Sequence, residues 1–294
     1  MKTYGLFAVK FAGVWLALII GQMAGGLIGQ LVTQGAVPAF KQDGPFGLIT
    51  AMIISSGLYA LVLSAMTSRM RWGFWGRAGA VFLLLYVLES GLSEIEALYF
   101  NTYLHMSNSL LVSMAIGGVI KAVIVAVVCA LLWRGTGEPA ERFNGLAWKI
   151  PVIIPLYVVF YFGAGALIAW QSADVRTYYA QGFHIDPGQL ALLQLGRGLI
   201  WALLALLSVA SLTGGTWRRT LLTGLAFSVL MALPLLYPNP LMPWPVRQVH
   251  LVEVGVSNFL FGTLAALILL WGVGPNNVLA APRLKASPLS SNHP

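Results

Sequence analysis

Three glutamates, Glu89, Glu94 and Glu96, lie in the stretch VFLLLYVLESGLSEIEALYF, which is otherwise apolar enough for the interior of a lipid bilayer. A carboxylate in hydrocarbon costs about 2.5 to 3.5 kcal/mol on insertion scales, so such residues usually face the interior of a helical bundle. The stretch therefore predicts a membrane helix with a polar face. It also indicates where functional residues should be sought.

Composition places the whole chain in the membrane class. The 294 residues are 58% hydrophobic and only 9% charged, whereas soluble proteins average about 25% charged residues. The net charge of +8 is spread singly or in pairs between long apolar runs, which argues against a nucleic-acid partner. The single cysteine, Cys129, rules out an intramolecular disulfide and a cysteine metal site.

Eight apolar stretches are long enough to cross a bilayer, whose hydrocarbon core is about 30 Å thick and needs about 20 helical residues. The sequence therefore predicts an all-α integral membrane protein with eight transmembrane helices. They begin near Gly5, Pro45, Gly73, Asn108, Ile150, Gln189, Arg219 and Val249. The first is predicted to stay uncleaved, because a signal-peptide core spans only about 7 to 15 apolar residues.

The basic residues predict the orientation of the helices. Of the 17 Lys and Arg residues, twelve fall on one predicted side, three on the other, and two, Lys121 and Arg197, inside helices. By the positive-inside rule both termini are then cytoplasmic, and the favoured location is a bacterial cytoplasmic (inner) membrane. Residues 275–294 are rich in Pro, Ser and Asn and are predicted to be a disordered cytoplasmic tail.

The two halves of the chain show a weak internal similarity. Residues 1–139 hold the first four predicted helices and residues 140–274 the last four. A shift of 138 residues superimposes Asn101 on Asn239 and Trp133 on Trp271. Apolar helices also resemble each other by chance, so the sequence leaves a four-plus-four duplication open. Repeats of four helices would share one orientation and be related by an axis along the membrane normal.

Helical geometry separates the three glutamates. On a regular helix Glu89, Ser93 and Glu96 share one face, while Glu94 points roughly the opposite way. Glu89 and Lys121 are about equally far from the turn near residue 104, so we expect them to be partners near the midplane. The pair is interpreted either as a functional group or as a structural ion pair that fixes helix register.

A second polar cluster is predicted on the eighth helix, where His250 and Glu253 share a narrow arc with Asn258 at its edge. Arg197 enters at a similar level from the sixth helix. These side chains indicate a substrate or ion cavity near the outer face. An alternative leaves His250 merely solvated and the charges merely paired. The complete predicted cavity consists of Glu89, Glu96, Lys121, Arg197, His250, Glu253 and Asn258.

Three glycines in the first helix, Gly21, Gly25 and Gly29, repeat at four-residue spacing. This small-xxx-small pattern permits two helices to approach closely. Packing is the favoured interpretation. A homo-oligomer interface and a substrate path remain open.

Motifs of the common membrane and soluble enzymes are missing from the sequence. It contains no HExxH zinc motif, no GxxxxGK[ST] phosphate loop and no GxSxG nucleophile elbow. We therefore assign no catalytic residue, no metal ligand and no cofactor at this stage.

Three functions are compatible with these patterns. The leading hypothesis is a small transporter or permease with an outward-facing polar cavity lined by buried carboxylates. The first alternative is an intramembrane enzyme that acts on a lipid or lipid-linked substrate at the outer leaflet. The second is a non-catalytic membrane subunit. The expected partners are the lipid bilayer and a small-molecule, ion or lipid substrate, and a homo-oligomer is left open.

Overall fold

The computed structural model describes residues 2–34, 42–180 and 186–273, and the predicted tail lies outside them. Within these residues eight helices are long and apolar enough to cross a membrane. The prediction of an all-helical, multi-pass membrane protein is confirmed. The helices are α1 (Lys2–Thr33), α2 (Leu48–Thr67), α3 (Phe74–Tyr99), α4 (Asn108–Leu132), α5 (Leu146–Leu167), α6 (Pro187–Ser211), α7 (Thr216–Ala232) and α8 (Trp244–Leu270).

Several helices begin earlier than the apolar runs predict. Helix α8 begins at Trp244 rather than near Val249, and α5 begins at Leu146 rather than near Ile150. Pro245 sits in the first turn of α8, where the missing backbone N–H costs nothing. The boundaries differ because a helix extends beyond the hydrocarbon layer to its cap, whereas the prediction followed hydrophobicity.

Two connections are more ordered than their sequences predict. Residues 173 to 180, in a predicted outer loop, form the short surface helix Ala173–Ala180. Its Val175 is buried against Ala169 and Val246, which ties the connection to α8. A single helical turn, Asn101–Leu104, follows α3 and closes with His105 in the left-handed region.

Helix α3 is not a regular α-helix throughout. Its middle segment, Val87–Gly91, is π-helical, between the α-helical parts Phe74–Tyr86 and Leu92–Tyr99. A π turn holds one more residue than an α turn, and such insertions are frequent at functional sites. The segment contains Glu89 and rotates everything after it, including Glu96, relative to a regular helix.

The three glycines of α1 form a packing seam with α4. A side chain on Gly25 would collide with the carbonyl oxygen of Gly117, and one on Gly29 with that of Ser113. Gly21 faces the backbone of Lys121, and a Cβ added there would lie 3.2 Å from the Lys121 Cα. The favoured interpretation of the glycines is confirmed, and the surface they form is occupied by α4 of the same chain.

Contacts between the first and last four helices run through α2, α3, α6 and α7. Helix α7 is the most enclosed span and packs on α8 and α2. The core beside it is aromatic: Trp201 of α6 lies 4.8 Å from Phe227 of α7 and 5.8 Å from Phe261 of α8, measured between ring centroids. This rigid centre positions the polar side chains described below.

Buried cations gather at one end of the bundle, which we call the basic end. Arg77 donates to the carbonyl of Ala130 at 2.9 Å, and Lys149 donates to that of Leu269 at 3.0 Å. Both carbonyls belong to the last turns of helices, where unpaired acceptors favour a cation. Arg77 and Lys149 belong to the twelve basic residues whose distribution predicted the orientation of the helices. In the structure they also cap the C-terminal ends of α4 and α8.

Glu141 joins two further cations at the basic end. It lies 3.3 Å from Arg71 and 2.7 Å from Arg219. Met70, the residue before Arg71 in the loop after α2, forms an antiparallel bridge with Leu212 in the loop between α6 and α7. The loops after α2, α4 and α6 are thus tied together.

Candidate functional site

The first polar network surrounds Lys121 on α4. Its ammonium lies 2.5 Å from Glu89 Oε1 and 2.9 Å from Gln22 Oε1, so it joins α3, α4 and α1. Ser90 donates to the other Glu89 oxygen at 2.6 Å. The Lys121 and Glu89 side chains are 6% and 9% exposed. The pairing deduced from the hairpin geometry is present, and Gln22 completes it.

Glu94 has a partner of its own, the hydroxyl of Tyr86, which donates to Glu94 Oε2 at 3.2 Å. Its Oε1 is buried and accepts no hydrogen bond from the described residues. The carboxylate is still close enough to Glu89 and Lys121 to interact with their charges. Because Glu89 itself lies in the π segment, the angle between the two glutamates differs from that on a regular helix.

The second network is centred on Arg197 of α6. Its Nη1 lies 3.0 Å from Glu96 Oε2 and donates to Gln194 Oε1 at 2.9 Å. Tyr161 of α5 donates to the other Glu96 oxygen at 2.8 Å. The Arg197 side chain is 2% exposed and that of Glu96 is 25% exposed. A buried guanidinium is therefore covered by a more accessible carboxylate.

The third network joins α8 to the surface helix. His250 Nδ1 lies 2.5 Å from Glu253 Oε2, and His250 Nε2 lies 3.3 Å from the hydroxyl of Tyr179. Burial raises the pKa of Tyr179, and the nearby negative charges of Glu96 and Glu253 raise it further. The hydroxyl therefore stays protonated. His250 is held on both sides, which argues against the alternative that it is merely solvated.

Tyr157 of α5 lies beside the second network, with the Arg197 guanidinium carbon 5.9 Å from its ring centroid. Asn258 lies buried further along α8 towards the basic end. Glu96 with Arg197, Glu253 with His250, and Glu89 with Lys121 form three pairs. The convergence of Glu96, Arg197, Glu253 and His250 in one cavity stays a prediction.

A cavity of about 400 Å³ opens at the end of α5 beside the surface helix. None of the seven predicted site residues lines it. It reaches the third network through Tyr179, which forms part of its wall. Its lining is mainly apolar and consists of Phe162, Trp170, Arg176, Tyr179, Ala180, Pro187 and Leu190. The carboxylate-lined cavity of the sequence analysis stays a prediction.

Sequence reasoning missed Ser90 and Tyr86, which donate to Glu89 and Glu94, and four further side chains that complete the networks. Gln22 and Gln194 are polar residues inside apolar helices, and that signal was available. Tyr161 stands one turn after Tyr157, but aromatic residues are common in membrane helices. Tyr179 gave no signal, because its position depends on the folding of the surface helix onto α8.

Within the part of the chain that the structure describes, no group of three or more His, Cys, Asp or Glu side chains could hold a metal ion. The acidic side chains of the spans instead face cations or hydroxyls.

No family model matches the sequence, and no curated protein or solved structure matches it either. The function must therefore be argued from the side chains themselves.

Proposed function

We propose that this multi-pass membrane protein is a small transporter in which the Glu96–Arg197 and His250–Glu253 networks form the transport site. The observation that carries the proposal is the buried ion pair of Arg197 with Glu96, at 3.0 Å. Glu96 belongs to the first four helices and Arg197 to the last four. Relative movement of the halves would therefore change the partner of a buried charge.

The chemistry of the groups supports coupling to protons or cations. Glu96, Glu253 and His250 can each gain or lose a proton, whereas Arg197 stays charged. A proton or cation that neutralises Glu96 would free Arg197 to take another anionic partner. Such buried ionisable groups in membrane spans commonly mark substrate or proton pathways.

We also propose that the halves are repeats related by an axis along the membrane normal. Contacts of α1 with α4 correspond to contacts of α5 with α8, and contacts of α2 with α7 correspond to those of α6 with α3. The side chains of Asn101 and Asn239 each hold the turn that follows α3 or α7. Trp133 and Trp271 each follow the last residue of α4 or α8. In this arrangement the basic end faces the cytoplasmic side of a bacterial inner membrane.

The proposal is tested by reconstituting the full chain in proteoliposomes under an inward or outward pH gradient. A mixture of small metabolites is added, and the vesicle contents are quantified by mass spectrometry. We expect selective accumulation that is lost in the double variant Glu96→Gln and Glu253→Gln. Glu138→Gln, at an exposed position of the basic end, is the matched control. Accumulation that the double variant leaves unchanged would disprove the transport site.

One observation favours the enzyme alternative. Glu253, His250 and Tyr179 form a hydrogen-bonded chain that ends at the wall of a cavity. In a lipid hydrolase, His250 would take a proton from water through the Tyr179 hydroxyl as the water oxygen attacks an ester carbon, and would return it by the same path to the departing alcohol. Incubation with phosphatidylethanolamine and phosphatidylglycerol vesicles, followed by lipid mass spectrometry, tests this. Release of lysolipid that is abolished in His250→Gln would favour the enzyme over the transporter.

A further inference from the structure

We propose that Arg197 is the anchor of an anion site and that the transported substrate is a small organic carboxylate, which displaces Glu96 from the guanidinium. The inference rests on the proposed transport function and assigns a substrate class to it. Glu96 then acts as an internal competitor that binds Arg197 when no substrate is bound.

Arg197 has the properties that an anion anchor needs. Its side chain is 2% exposed, and its charge cannot be removed by deprotonation. When Glu96 moves away or is protonated, the buried guanidinium must find another negative group. Lys121 differs, because a lysine beside Glu89 can pass its proton to the carboxylate and leave a neutral pair. The Glu96 network, rather than the Glu89 network, therefore requires an anion.

Hydrogen-bond donors outnumber acceptors around Arg197. Gln194 is fully buried, yet its Nε2 donates to no described residue, and neither does Arg197 Nε. Both side chains are joined to each other through Arg197 Nη1 and Gln194 Oε1. Buried donors without acceptors are rare in native proteins, and such donors commonly bind a ligand or an ordered water. An oxygen-rich ligand would satisfy them.

Glu96 shows which ligand chemistry fits. Its Oε1 accepts a hydrogen bond from Tyr161, and its Oε2 lies 3.0 Å from Arg197 Nη1 in an ion pair. Glu96 is also the more accessible partner, with 25% of its side chain exposed. A planar carboxylate from outside could therefore accept from the same two donors once the Glu96 side chain turns away.

The aromatic surroundings favour an organic anion over an inorganic one. Tyr157 lies under Arg197, with the guanidinium carbon 5.9 Å from the ring centroid, and Trp201 lies 5.5 Å from Tyr157. Rings beside an arginine provide apolar contact for the carbon skeleton of a bound acid. The same surroundings leave few polar groups to replace the hydration of phosphate.

Ligand binding to the purified full chain in detergent tests the inference directly. Benzoate is the probe, benzamide is its neutral isostere, and inorganic phosphate is the alternative anion. Binding is followed by tryptophan fluorescence and by isothermal titration. We expect Glu96→Gln to lower the Kd for benzoate about tenfold, because it weakens the internal competitor. Arg197→Lys should raise the Kd about tenfold, because it removes the planar fork of donors.

Glu138→Gln is again the matched control and should leave the Kd unchanged. Because Glu96→Gln is expected to gain affinity, the test does not depend on Arg197→Lys remaining folded. Equal Kd values in wild type and Glu96→Gln would overturn the inference. The inference would also be overturned if benzamide bound with the same Kd as benzoate. It would equally be overturned if phosphate bound and benzoate did not.

The binding assay separates this inference from the transport proposal. If benzoate affinity follows the two variants but proteoliposomes accumulate no metabolite, the anion site stands and the transport function fails. If accumulation requires Glu96 and Glu253 but the cargo is neutral or cationic, transport stands and the carboxylate class is wrong.

Discussion

The ammonium of Lys121 lies 2.5 Å from a carboxylate oxygen of Glu89, and the two side chains are 6% and 9% exposed. Such a pair is not by itself strong evidence for stability, because removing two charges from water offsets much of their attraction. Loss of only one partner is a different matter. It leaves a buried charge with no opposite charge nearby.

We therefore expect Lys121→Met to lower the free energy of unfolding by about 3 to 5 kcal/mol. The double variant Glu89→Gln, Lys121→Met removes both charges and should recover most of that loss. Unfolding in mixed detergent micelles, titrated with SDS, measures both. If the double variant were as unstable as Lys121→Met alone, an unpaired Glu89 could not be the cause.

The seam between α1 and α4 makes a second prediction. Gly25→Ala places a methyl group against the carbonyl of Gly117, so the helices must separate. We expect a loss of about 1 to 3 kcal/mol, the usual cost of overpacking. At the neighbouring Gly26, a Cβ would have no other atom within 4 Å. Gly26→Ala should be neutral or stabilise the helix by up to about 1 kcal/mol, and equal destabilisation by both variants would refute the seam.

The sequence could predict those parts of the site in which the interacting residues lie in one helix or in one helical hairpin. The Lys121–Glu89 pair followed from counting residues on both sides of one hairpin, and the glycine seam followed from spacing within α1. Both rules are local and need only regular helices. Depth along the helices also separated the Glu89–Lys121 pair from Glu96 and Arg197, but composition does not reveal the π segment Val87–Gly91. Tyr179 depends on tertiary docking, which local rules do not reach.

The connection before α2 supplies a pH-dependent contact outside the spans. Asp43 lies 2.8 Å from Arg247, a fully buried residue of α8, and also accepts from the backbone N–H of Trp244. Burial alone would raise the pKa of Asp43. The hydrogen bonds from Arg247 and Trp244, together with the charge of Arg247, outweigh burial and lower it.

A lowered pKa means that the ionised Asp43 stabilises the folded state. This contribution is complete above the unfolded pKa, about 3.9, and is lost as the pH falls through the lower folded pKa. At pH 7 we expect Asp43→Asn to lose about 2 kcal/mol, because a buried Arg247 loses its carboxylate. The difference between wild type and variant should shrink as acid is added. Asp174→Asn, at an exposed position, is the control, and a difference that grew towards low pH would contradict the assignment.

The π segment makes the last prediction, because it determines where Glu96 points. Deleting Gly91 would let Val87–Gly91 close into a regular α-helix, because it removes the extra residue of the π turn. The residues that follow keep their orientation, so Glu96 should still face Arg197 and the pair should be retained. An alanine inserted after Gly91 would instead turn Glu96 by about 100° away from Arg197. The buried guanidinium would then lack its carboxylate, and we expect a loss of about 3 kcal/mol or more in the SDS titration.

Gly91→Ala is the matched control, since it keeps the number of residues in α3. A methyl group at this position would approach Tyr86 and Val87 no closer than 3.7 Å, an ordinary contact. The substitution should therefore retain both the stability and the Glu96–Arg197 pair. If the insertion were as stable as the substitution, the orientation of Glu96 would not determine the stability of the buried guanidinium. Loss of stability in the deletion variant would contradict the assignment of one extra residue to the π turn.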